Sequence, residues 1–105
     1  MRIISQDGVY DTPYETTQLW VQTDSYLIRG NMPADEAITL AIYSSEEKAL
    51  KAMKMLREQH EKVAFLKTII NTKEGASFVS HLSETEFDEM TRNYFQFPKD
   101  DEVEV

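Results

Sequence analysis

From Glu46 to Lys62 the chain holds no Gly, Pro or β-branched residue and is rich in Ala, Leu, Met, Lys and Glu. All five are strong helix formers, so the run predicts one main helix over about 45–62. At 100° per residue, Ala49, Ala52, Met53, Leu56, His60 and Val63 fall on one arc about 100° wide, the face such a helix buries. Ser44 with Glu47 three residues on has the spacing of a capping box, in which hydroxyl and carboxylate satisfy orphan N–H groups reciprocally. Glu47–Lys51 and Glu58–Lys62 are i,i+4 pairs in the favourable order. One amphipathic helix cannot cover its own stripe, and the rest of the chain must supply the partner layer.

That layer reads as a sheet. Just before the helix, Ile38, Leu40 and Ile42 alternate with Ala37, Thr39, Ala41 and Tyr43, a period-two strand with one strongly apolar face. The opposite face is small and leaves room for a bulky neighbour, for which Trp20 is the candidate. Upstream, Ile3-Ile4 opens a strand and Asp7-Gly8 suits a two-residue type I′ turn. Val9 to Thr12 then returns antiparallel until Pro13 removes a donor. A second hairpin runs Thr17 to Thr23, turns at Asp24-Ser25, returns through Tyr26 to Arg29 and is closed by Gly30 to Pro33. Downstream, 63–82 is either a hairpin, with Asn71 to Gly75 as its turn, or a continuation of the helix. Ser83 with Glu86 is a second capping box and predicts a short helix over about 84–92. Tyr94 to Phe97 is a last short strand ended by Pro98. The expected fold is a single α+β domain over 1–98, a mainly antiparallel sheet of about four to six strands with the main helix packed on it. Residues 99–105 are expected as an acidic tail.

At 105 residues the chain can bury a core without covalent staples. It has no Cys, which removes disulfides, thiolate zinc and cysteine nucleophiles. No apolar run approaches the roughly 18 residues of a membrane span, and the opening Met1 to Asp7 turns polar too soon for a signal peptide. A cytoplasmic location is expected. The net charge is −8, and −6 of it lies in residues 83–105, where two bases face eight acids. Direct nucleic-acid or anionic-membrane binding, which needs clustered Lys and Arg, is therefore not expected. No phosphate-binding glycine loop, dinucleotide fingerprint or nucleophile elbow is present, so no catalytic residue and no cofactor is expected. The two histidines, His60 and His81, lack the spacing of metal ligands. His60, on the apolar arc near the helix end, is expected to pack its ring there and interact with the helix dipole, and His81 to be exposed and idle.

Two sets of residues remain as candidate partner-binding groups. Glu84, Glu86, Asp88 and Glu89 read first as a favourable charge at a helix start, and otherwise as a negative surface for a basic partner. Trp20, with Tyr10, Tyr14 and Tyr26, lies in the hairpins; aromatics there are cross-strand packing or, alternatively, an interface anchor. Met55 stands off the apolar arc near Lys48 and Lys51, a position that a second subunit could cover, so an oligomer is compatible with the pattern.

Three blocks of the chain carry a resemblance. Met1-Arg2-Ile3-Ile4-Ser5-Gln6-Asp7-Gly8 with Pro13-Tyr14-Glu15, then Tyr43-Ser44-Ser45-Glu46-Glu47-Lys48-Ala49 with Met55-Leu56-Arg57, then Phe95-Gln96-Phe97-Pro98-Lys99-Asp100-Asp101-Glu102 cover roughly a third of it. They resemble a family of small uncharacterised proteins of Gram-positive bacteria and their prophages. The resemblance implies a mobile-element setting and carries over no activity, cofactor or site. The expected function is that of a small acidic accessory protein that binds a protein partner. The alternative is an inhibitor that mimics nucleic acid to block a nuclease or DNA-binding protein, as an anti-CRISPR-type protein would. An enzyme without a recognisable motif is the third reading.

Overall fold

The helix-forming run folds as expected and continues past Lys62: α1 spans Glu46–Ile69 in the computed structural model, which describes residues 1–22, 24–31 and 36–105. Ala49, Ala52, Leu56 and Val63 are buried along it, Leu66 adds one more turn to the stripe, and Met53 and His60 are half-buried. Neither alternative for 63–82 holds throughout: the helix continues only to Ile69, and beyond the turn that follows comes a second helix in place of a hairpin strand. The chain then turns into α2 (Lys73–Ser80), whose cap Thr72 accepts a hydrogen bond from the Gly75 N–H at 2.9 Å. A Cβ at Gly75 would be driven into the Ile69 carbonyl, so only glycine lets α2 start this close to the end of α1. The short helix α3 (Glu84–Thr91) carries the expected reciprocal capping box between Ser83 and Glu86.

The start of α1 corrects the sequence reading by one residue. Ser45 is the cap, its hydroxyl accepting from the Lys48 N–H at 3.2 Å. Ser44 instead donates its N–H and hydroxyl to the Asp100 carboxylate, at 2.7 and 3.0 Å. Along the exposed face the i,i+4 ion pair that closes is Lys54–Glu58, at 3.8 Å. Neither of the two expected pairs does so among the described residues.

Among the described residues six strands form two three-stranded sheets. β1 (Arg2–Ile4) pairs antiparallel with β2 (Asp11–Pro13) and parallel with β6 (Tyr94–Gln96), giving the order β2-β1-β6. β3 (Gln18–Gln22), β4 (Leu27–Asn31) and β5 (Ala37–Ile42) form an antiparallel meander. The first turn is longer than the expected I′ pair. Ser5 accepts from the Gly8 N–H and donates its own N–H to the Tyr10 carbonyl, both at 2.9 Å, and only Gly8 has positive φ. Asp7 closes this loop with its side chain, accepting from the Ser5 hydroxyl at 2.6 Å and the Val9 N–H at 3.0 Å. Beside it, Gln6 straps the two sheets together: its side chain bonds the Ile42 N–H and the Ile42 and Pro98 carbonyls, and its N–H donates to the Leu40 carbonyl. The second hairpin turns at Asp24 to Tyr26, with Tyr26 at φ +54°. Thr23 and the Met32-Pro33 closure lie outside the described residues.

Two expectations about β5 are corrected. The strand is bulged: Ala41 pairs with Ile28 and Thr39 with Arg29, leaving Leu40 as the extra residue. A bulge reverses the side-chain phase. Ile38 and Leu40 therefore point into the core before it and Ala41 and Tyr43 after it, while Ile42 is 59% exposed. Trp20 does not lie over β5, because β4 separates them. Trp20 pairs with Arg29, and Arg29 with Thr39, in one row across the outward face of the meander.

The principal core lies between the sheets and the first half of α1, around Ile3, Ile28, Leu40, Leu56 and Phe97. Val103, 3% exposed, belongs to it. Residues 99–105, the expected acidic tail, pack in part against this core: Asp100–Glu102 make a 3₁₀ turn. Asp100 meets Lys48 Nζ at 3.2 Å as well as Ser44. The Tyr43 hydroxyl donates to the Pro98 carbonyl at 2.7 Å, and burial pushes its pKa well up. Beyond this core, the C-terminal half of α1 with α2 and α3 forms a helical arm, with Val63 and Leu66 as its own small apolar centre.

Candidate functional site

On the arm, α3 is capped at its start and tied to α1 at its end. Ser83 and Glu86 close its start, and Gln59 Nε2 donates to the Glu89 and Arg92 carbonyls near its finish, both at 2.9 Å. Glu84, Glu86, Asp88 and Glu89 are all exposed, and among them sits Phe87, 38% exposed. On the neighbouring helices Phe65 and Phe78, 50% and 42% exposed, meet edge to face at 5.9 Å. Ile70 is also exposed and lines, with Val63, Leu66 and Met90, a small cavity of about 220 Å³ between α1 and α3. The arm thus presents aromatic and aliphatic surface beside four exposed carboxylates, of which Glu86 is held by its bond to the Ser83 N–H. The sequence singled out the carboxylates but not the aromatics, because Phe65 and Phe78 lie in the stretch whose secondary structure was open.

Trp20 is half-buried on the outward face of the meander, on a different element from the acids. Arg29 in the same row donates to the Ala37 carbonyl at 3.3 Å. A shallow groove of about 670 Å³ follows β5, walled by Gln6, Asp7 and Tyr10 and reaching Arg29 and Thr39. The Asp7 carboxyl is held below the ordinary carboxylate range, chiefly by the Ser5 hydroxyl bond.

A third place is a cleft of about 510 Å³ between the first half of the chain and α1. Tyr14 and His60 stack along it with ring centroids 4.4 Å apart. His60 thus packs its ring as expected, though mid-helix rather than near the end. Leu19, Met53 and Leu56 form the apolar floor, and Arg57 stands on the rim. Glu15 accepts from the Met1 ammonium at 2.6 Å and lies 3.9 Å from His60 Nε2. The ammonium bond is the main reason its pKa is lowered. The two histidines stand apart, since His81 is the exposed C-cap of α2 with Nδ1 at 2.7 Å from the Ser77 carbonyl.

Among the described residues no group of three or more His, Asp or Glu is placed to hold a metal ion, and no helix is long and apolar enough to cross a membrane. No family model, curated protein or solved structure matches the chain.

Proposed function

We propose that this chain is a small acidic cytoplasmic accessory protein of a phage or other mobile element, and that it works by binding a protein partner through its helical arm. The observation that carries this reading is α3: four exposed carboxylates surround a part-exposed Phe87 on a helix capped at its start and tied to α1 at its end. Charges held in place before docking lose little entropy on binding, and an aromatic side chain among them supplies the apolar anchor that interfaces favour. The complementary partner is basic. The Gram-positive and prophage setting rests on the resemblance of the three sequence blocks.

The same helix supports the narrower reading, in which Glu84, Glu86, Asp88 and Glu89 stand where a nuclease or DNA-binding protein expects phosphates. Capture from a Gram-positive host lysate at low and high salt separates the surfaces. Replacing the four acids by Gln or Asn is expected to abolish capture under mimicry, and high salt should do the same. If the carboxylates only steer the encounter and Phe87 is the anchor, the acid variant still binds, more slowly, and Phe87→Ala is the damaging change; loss through Trp20→Ala alone would move the contact off the arm to the meander. Capture that none of these variants weakens would exclude both surfaces.

A further inference from the structure

We propose that the cleft under the Tyr14–His60 stack is a binding site for a small aromatic anion, a flat apolar ring bearing a carboxylate or an equivalent acidic group. The site is separate from the arm, so its fate is independent of the protein-binding role.

The cleft has the make-up of a small-molecule site. Its volume of about 510 Å³ falls within the range of about 300–1,000 Å³ that such ligands occupy. Its apolar surface is Leu19 and Met53, partly exposed, backed by Leu56, which is fully buried. The stacked rings of Tyr14 and His60 give a rigid aromatic wall, suited to a flat partner. Methionine on the floor adapts to irregular ring edges.

The charge pattern fixes the sign of the ligand. On a chain of net charge −8, Arg57 stands at the rim and forms no ion pair among the described residues. Glu15, the one acid of the cleft, is already matched by the Met1 ammonium. Arg57 therefore remains as a planar donor for a carboxylate whose ring lies on the floor below it.

Titration with 2-naphthoate, followed by the methyl and side-chain NMR signals of the protein, tests this. Saturable shifts are expected, centred on the Leu19, Met53 and Leu56 methyls and the His60 ring. The neutral 2-naphthalenemethanol and the variant Arg57→Gln should each weaken binding about tenfold or more, the loss of one charge-assisted contact. Arg57→Lys should recover part of it, and Lys54→Gln, a neighbouring surface cation, should change nothing. Spectra of each variant away from the cleft report that the fold is kept. The proposal is overturned by an absence of saturable shifts, by shifts centred on Phe65 and Phe78, by equal affinity for the neutral analogue, or by an Arg57→Gln variant that binds as the wild type does.

Discussion

Leu56 has no exposed surface and sits at the middle of the α1 stripe, against both sheets. Leu56→Ala should cost about 2–5 kcal/mol through lost transfer energy and the cavity left behind. Lys51→Ala, on the exposed face, should change stability by less than about 0.5 kcal/mol. Denaturant midpoints check both, and equal midpoints would contradict the burial of this face. Asp100 makes a different kind of contribution. Its pKa is lowered, first by the Ser44 N–H and then by the Ser44 hydroxyl and Lys48. A carboxyl whose folded pKa lies below its unfolded value stabilises the fold above the unfolded pKa. That stability is lost as pH falls through the depressed folded value. Asp100→Asn should therefore be less stable than wild type near neutral pH, and the gap should close on acidification below the ordinary carboxylate range. A gap that stays constant down to about pH 2 would assign the residue a role independent of its charge.

At the scale of elements, the elbow between α1 and α2 depends on Gly75. Gly75→Ala places a methyl group against the Ile69 backbone, and should cost more than about 1 kcal/mol, since Ala cannot relieve a clash with main chain. The loss should be local. Amide exchange should quicken through α2 and the end of α1, while Ile28 and Leu40 in the principal core keep their protection. Uniform quickening would mean that the arm and the core unfold as one unit. At this elbow the sequence shows a polar turn at Asn71 to Gly75 but not the helix α2 that follows it, whereas most of α1 is legible, and the contrast has a physical cause. The buried positions of α1 repeat over many turns, so local propensity and tertiary burial agree. β5 was legible as a strand but not in its phase, because the bulge at Leu40 is set by its pairing with β4 and by Gln6. The cap at Ser45 shifted for a similar reason: Asp100, more than fifty positions downstream, takes Ser44. Of the candidate site, the acids of α3 could be read from composition and capping. Phe65, Phe78 and the Tyr14–His60 cleft could not, since they arise from contacts between segments distant in sequence.

The whole molecule is longer than a compact chain of its size. Its radius of gyration is 15.4 Å and its longest extent 48 Å, against a radius of about 13 Å for a compact domain of this length. α1 alone spans about 36 Å at 1.5 Å per residue, with one end in the principal core and the other in the arm. α3 lies along the far half of α1 with its four acids exposed, the surface that the proposed partner would meet. Electrostatic capture of that kind speaks first through the association rate, because exposed charges are screened beyond about 8 Å at physiological ionic strength. The most direct measurement is the association rate with the captured partner between about 50 mM and 500 mM salt, for wild type and for the variant lacking the charges of Glu84, Glu86, Asp88 and Glu89. The wild type should slow about tenfold or more across that range, and the variant should be slow throughout and nearly indifferent to salt. A wild-type rate that does not respond to salt, matched by a variant that binds as fast, would contradict the claim that α3 is the docking surface.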